Sequence, residues 1–253
     1  MICIGIDLAW SPRNSTGAAV IIGDATGGAL ADVAVLGDDA AIIAYIERFA
    51  GPEPAIVAVD APLWAPNHAG RRRAESELAR AFRAYEAAPH PANRQRLAFD
   101  GVVRGETLVA ALAARGFTHK PAIDANLELR QVIEVFPHPA MVAFFDLTRT
   151  LKYKAKPKRS LELRMAEWRR YQAYLLALRD ATPSLHGHEE LLAQDVVQLR
   201  GRQLKRYEDQ VDALCCAYIA LYGFCWGWAH CRTFGTLEEG YIFTPVPAVM
   251  RER

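Results

Sequence analysis

Neither sign of charge dominates this chain: 30 lysines and arginines stand against 29 acids, leaving a net charge of +1. No global field therefore draws it to nucleic acid or membrane, and any polyanion must be met by local clusters. Cysteine is sparse and irregularly spaced. Cys3, Cys215, Cys216, Cys225 and Cys231 form no C-x-x-C pair, which argues against a zinc knuckle or a disulfide framework and predicts buried, reduced thiols in a cytoplasmic protein. No run approaches the roughly 20 unbroken apolar residues of a bilayer span. The richest stretch, 211–228, reads as a buried core helix, and no membrane partner is expected. The apolar N-terminal run is cut by Asp7 and has no basic leader, unlike a signal peptide. Gly23 to Gly28 lacks the Gly-Lys-Ser/Thr of a phosphate loop, no G-x-G-x-x-G or G-x-S-x-G is present, and His188-Glu-Glu-Leu-Leu192 lacks a second histidine. The commonest nucleotide-binding, serine-hydrolase and zinc-peptidase readings fall away.

What is present is an ordinary folded composition, 51% hydrophobic and 23% charged over 253 residues, too apolar for disorder. Three β-branched runs, 2–7, 17–22 and 30–36, follow one another with turn chemistry at Gly23–Gly28, which predicts an antiparallel meander. Asp38 and Asp39 offer a cap for a helix carrying Ile42, Ile43, Ile46 and Phe49. Gly51-Pro52 stops it, and 55–60 is a fourth strand, reached by a crossover and so parallel to a neighbour. Residues 71–115 read as helical with a break at Pro89-His-Pro91, 131–136 as a fifth strand, and 161–178 as an amphipathic helix. A long final helix starts after Gly201, and 233–243 suggests a terminal hairpin around Glu238-Glu239-Gly240. The expectation is a single α/β domain, 1–253, with helical insertions at about 65–130 and 150–200.

Carboxylates occupy unusual places in this pattern. Asp7 sits among apolar residues at the end of the first strand, Asp60 ends the fourth, and Glu134 interrupts the fifth. Asp209 and Asp212, three apart, share a helix face. Were strands one, four and five neighbours, about 4.8 Å apart, their acids would be brought close together. Clustered anions repel and are costly to bury, a cost that a divalent cation removes, and an all-oxygen donor set suits Mg2+ or Mn2+. Taken singly, Asp60 would cap a turn, Glu134 would pair at an edge and Asp209 would face solvent. It is their combination that points to a site.

Gly5-Ile-Asp-Leu-Ala-Trp10 with Gly17, Val59-Asp-Ala-Pro-Leu63, Glu134-Val-Phe-Pro137, Lys152-Tyr-Lys154, Asp209-Gln-Val-Asp-Ala213 and Glu239-Gly-Tyr-Ile242 together resemble a domain-of-unknown-function family described as predicted nucleases of the ribonuclease H-like fold. The Asp209–Ala213 segment is also similar to the Asp-x-x-Asp-Ala helix of Holliday-junction resolvases. The resemblance implies a mixed five-stranded sheet of order 3-2-1-4-5 flanked by helices. It also implies metal ligation by Asp7, Asp60, Asp209 and Asp212, with Glu134 added to the catalytic set by the family's own motif. Asp60 stands where many nucleases of that superfamily have glutamate, which shortens one ligand arm. The expected chemistry is two-metal phosphodiester hydrolysis, with Asp7 bridging the ions because it lies on the central strand.

Substrate contact needs cations beside those acids. Residues 149–170 carry nine Lys or Arg and two Glu, and Lys152, Lys154, Lys156 and Lys158, with Arg71 from the Arg71–Arg73 run, are the expected phosphate contacts for a nucleic-acid partner. Arg200, Arg202, Lys205 and Arg206 form a lesser patch that reads equally well as solvated helix surface. Trp10 and Trp64 follow proposed ligands and offer stacking faces, although packing is the plainer role. His138 is a candidate acid or base near neutral pH. Two alternatives stand beside the nuclease: an ATP-dependent phosphotransferase or ATPase of the actin-like superfamily, although no glycine follows Asp7 to approach a phosphate, and a non-catalytic binding domain. Oligomeric state is not readable from the sequence.

Overall fold

The computed structural model describes residues 1–11 and 13–251. Strands β1 (Ile2–Asp7), β2 (Thr16–Gly23) and β3 (Gly27–Leu36) form the meander. Helix α1 (Asp39–Ala50), N-capped by the Asp38 side chain, then crosses over to β4 (Ala55–Val59). Next come α2 (Arg73–Ala81), a four-residue α3 (Arg94–Leu97), a two-residue hairpin β5–β6 (Ala98–Phe99, Val102–Val103), α4 (Arg104–Ala113) and β7 (Thr118–His119). β8 (Arg130–Glu134) leads into α5 (Pro137–Phe144), α6 (Leu161–Leu176), β9 (Ser184–His186), α7 (Glu189–Leu192), α8 (Arg202–Trp226) and a hairpin of β10 (Cys231–Thr236) and β11 (Gly240–Pro245).

The fold is α/β, with a mixed, mostly parallel seven-stranded sheet ordered β7-β8-β4-β1-β2-β3-β9. β1/β2 and β2/β3 are antiparallel, whereas β1/β4, β4/β8, β7/β8 and β3/β9 are parallel. Its middle, β3-β2-β1-β4-β8, has the expected order. The five-strand count is corrected to seven, because β7 and β9, two and three residues long, are too short to show a period. The 71–115 region is likewise less helical than its spacing suggests: α2 and α4 are separated by Pro89 and Pro91 and by the small hairpin.

Alternation along the strands gives each face its own core. Ile4, Ile6, Val20, Val57 and Val59 pack with Ile42 and Ile46 of α1 and Leu108 and Leu112 of α4. Cys3, Ala19, Ile21, Ile56, Ala58 and Ile133 face α8 and the aromatic helices α5 and α6. By length and composition, residues 202–229 pass for a membrane span, but 89% of the apolar window is buried inside the protein. This is the core helix the sequence suggests. The five cysteines are free thiols, four of them buried.

Candidate functional site

Three elements deliver the acids. β1 ends in Asp7, and Asp60 directly follows β4, its N–H donating to the Ile6 carbonyl at 2.8 Å. The two aspartates thus leave neighbouring parallel strands at their carboxyl ends, the edge where open α/β sheets carry their sites. α8 adds Asp209 and Asp212, both buried. Two glycines set its approach. A Cβ on Gly5 would lie 2.0 Å from the Ala213 carbonyl oxygen, and one on Gly17 would lie 1.8 Å from that of Asp209. Only a bare backbone at these points lets α8 lie close enough to bring its acids to the strand ends.

Two lysines close the cluster. Lys154 Nζ lies 2.7 Å from Asp212 Oδ2, and the Tyr153 hydroxyl donates to Asp212 Oδ1 at 2.6 Å. Lys205 Nζ lies 2.7 Å from Asp209 Oδ1 and 3.1 Å from Glu208 Oε1, and the Ser15 hydroxyl donates to Asp209 Oδ2 at 3.1 Å. Five carboxylates (Asp7, Asp60, Glu208, Asp209 and Asp212) are therefore balanced by two ammonium groups. The surplus is felt in protonation. Burial, aided by Asp212, Asp60 and Asp209, pushes the Asp7 carboxyl well above the usual range despite Lys154. Burial, with Asp212 and Glu134, pushes Asp60 up to about 7. Burial opposes the charge on Lys154, but Asp212, Asp7 and Asp60 more than offset it and hold the ammonium well above its ordinary value.

Glu134 is placed differently. Its Oε2 accepts from the Leu63 N–H at 2.8 Å and from Arg72 Nη1 at 3.0 Å, while Arg72 Nη2 binds Oε1. Arg72 Nε donates to Glu75 Oε1 at 2.7 Å, and the Arg72 N–H donates to Glu75 Oε2 at 2.7 Å. All three side chains are buried. Glu134 thus ties β8 to α2 and to the loop after β4. It neighbours Asp60 across a cavity of about 80 Å3 that Trp10 and His90 also line.

The basic residues divide. Arg71, Lys156 and Lys158 are exposed. Lys152 pairs with Glu86, and Lys154 turns inward to the aspartates rather than outward to solvent. Burial and the nearby Lys154, Lys156 and Arg159 hold the His138 pKa well below the ordinary value, and its Nδ1 lies 3.2 Å from the Thr150 hydroxyl. Trp10 and Trp64 are partly exposed, and Trp64 donates its indole N–H to the Glu238 carbonyl. Lys205, Glu208, Ser15 and Tyr153 were missed as members of the centre. Lys205 was the readable one, since it precedes Asp209 by one helical turn.

The match to known families covers residues 5–229 and falls on the family described as protein of unknown function, DUF429. The chain belongs to the DUF429 family. The matched span takes in the end of β1 from Gly5 and all of β4, β8 and α8, so the whole acid–lysine centre lies within the DUF429 region. No curated protein and no solved structure matches the chain.

Proposed function

We propose that the acid–lysine centre hydrolyses phosphodiester bonds of a nucleic acid with the help of Mg2+ or Mn2+. The observation that carries this reading is the surplus of carboxylates over lysines at the joined ends of β1, β4 and α8, which leaves Asp7 and Asp60 starved of positive charge. The donor chemistry suits a hard cation, since every candidate ligand atom is oxygen. The side-chain arrangement is not a ready cage: among the described residues no three His, Cys, Asp or Glu side chains are grouped to hold an ion. Asp7, Asp60 and Asp212 would hold it in exchange for the Lys154 ammonium. When bound, such an ion supplies neutralisation of the phosphate and an acidified water. The protein's own part is to hold Asp212 through Tyr153, hold Asp209 through Ser15 and Lys205, and exclude water with the buried face of α8.

One observation favours a second reading. Lys154 already acts as a tethered cation among Asp7, Asp60 and Asp212, and Asp60 titrates at about 7, which suits a metal-free acid–base centre. Incubating labelled single-stranded, duplex and junction substrates with Mn2+ or with EDTA separates the two. Cleavage in Mn2+ that EDTA and Asp7→Asn both abolish is the expected result. Cleavage persisting in EDTA would favour the metal-free centre, and no cleavage of any substrate would leave the phosphotransferase or binding-domain alternatives.

A further inference from the structure

On the β2–β3 side of the acids, opposite the Asp60 cavity on the β4–β8 side, lies an open groove of about 500 Å3. Arg13, Ser15, Val35, Arg202, Lys205 and Arg206 line it, with Asn14 and no acid. Arg13, Arg202 and Arg206 are exposed, and none of the three has an ion-pair partner among the described residues. Two of its lining residues also belong to the centre: Lys205 and Ser15 are the groups that hold Asp209. The groove therefore adjoins the buried Asp209 through these two side chains. Beyond Arg206 the surface changes character, with Asp32 and Glu190 lining the adjoining depression, which bounds the basic track.

Arg202 and Arg206 pair with no carboxylate among the described residues, unlike Lys205, which is engaged by Glu208 and Asp209. Arg202, Lys205 and Arg206 crowd the first turns of α8, which have no acid in the first turn. Cations there oppose the helix dipole and repel one another. A solvated surface has no need of such an arrangement, whereas a polyanion lying in the groove relieves it.

We infer that this groove binds the phosphate backbone of the nucleic acid on one side of the scissile bond, with Arg202 and Arg206 each meeting a phosphate. The inference rests on the nuclease reading and adds to it the path of the substrate.

The test is fluorescence-anisotropy binding in EDTA, which prevents metal-dependent turnover, over a series of KCl concentrations. The full chain and its Arg202→Ala/Arg206→Ala variant are compared on single-stranded DNA, duplex DNA, single-stranded RNA and inorganic polyphosphate. Loss of two phosphate contacts lowers the slope of log K against log[salt] by about 1.4 on a single strand or about 1.8 on a duplex. The melting temperature should not fall, because both side chains are exposed and neither has an ion-pair partner among the described residues. An unchanged slope in a variant that still binds and cleaves would overturn the groove assignment alone. Binding of polyphosphate as tightly as of any nucleic acid would overturn the choice of partner. Failure of the unmodified chain to bind or cleave any nucleic acid would overturn the nuclease reading itself, and the groove assignment with it.

Discussion

Two groups of charge lie within one cavity's width of each other and are built on opposite principles. In the first, Arg72 lies between Glu134 and Glu75, forked onto one and bonded twice to the other, with the Leu63 N–H completing the set. Burial opposes the guanidinium charge, but the two carboxylates more than offset it and raise its pKa. In the second, Lys154 and Lys205 face five carboxylates, and Asp7 and Asp60 hold protons more tightly than free aspartate does. The planar, multiply bonded arginine satisfies its partners. The point charge of a lysine does not. Burial raises the pKa of the Glu134 carboxyl as well, against the pull of Arg72 and the Leu63 N–H, so the contrast lies in the direct bonds that tie Glu134 into the frame, and Asp7 and Asp60 are the ones proposed to react.

The comparison breaks most visibly if the arginine cluster proves dispensable. Arg72→Met strands two buried carboxylates and should cost about 3–5 kcal/mol, measured by urea unfolding; a loss under about 1 kcal/mol would contradict its structural role. Gly17→Ala should follow at about 1–3 kcal/mol, because the new methyl meets the Asp209 carbonyl and α8 must shift. Its sharper signature is a loss of Mn2+ response beyond what the stability change explains.

At the acid–lysine centre the sign reverses. Asp60 is deprotonated in the unfolded chain above about pH 4 but in the folded protein only above about 7. The native state therefore binds more protons in that window, and stability falls as pH rises through it. Asp7→Asn and Asp60→Asn should each stabilise the metal-free protein at pH 8, by about 1 kcal/mol or a melting rise of about 2–4 °C, with no gain at pH 4. Destabilisation at pH 8 would show that the acids are already neutralised. The smallest effect belongs to Lys156→Ala. This exposed side chain should change stability by less than about 0.5 kcal/mol and weaken only nucleic-acid binding, read from its salt dependence.

The sequence revealed the framework well because the framework is periodic. The meander, the crossover to β4, the amphipathic α6 and the apolar α8 all announce themselves by spacing; Asp7 and Asp60 could be singled out by their places at strand ends, and Asp209 and Asp212 by their shared helix face and the family resemblance. What escaped was non-periodic. β7 and β9 are too short for a pattern, and Arg72 looked like one member of a surface arginine run until its partners 3 and 62 residues away were in view. Lys154 carried the opposite error: a proline-interrupted basic loop suggests solvent, yet this lysine turns toward Asp212 while Lys156 and Lys158 stay outside. Charge balance is a property of contacts between distant segments, and no local window contains it.

The most direct measurement is a thermal-shift titration of the metal-free protein with Mn2+ at pH 8. If the aspartates form an under-neutralised cation site, saturating Mn2+ at about 100 times its dissociation constant should add about 2.7 kcal/mol, raising the melting temperature by roughly 5–10 °C, and Asp7→Asn should abolish the rise. A melting temperature that Mn2+ leaves unchanged, or raises equally in Asp7→Asn, would contradict the account.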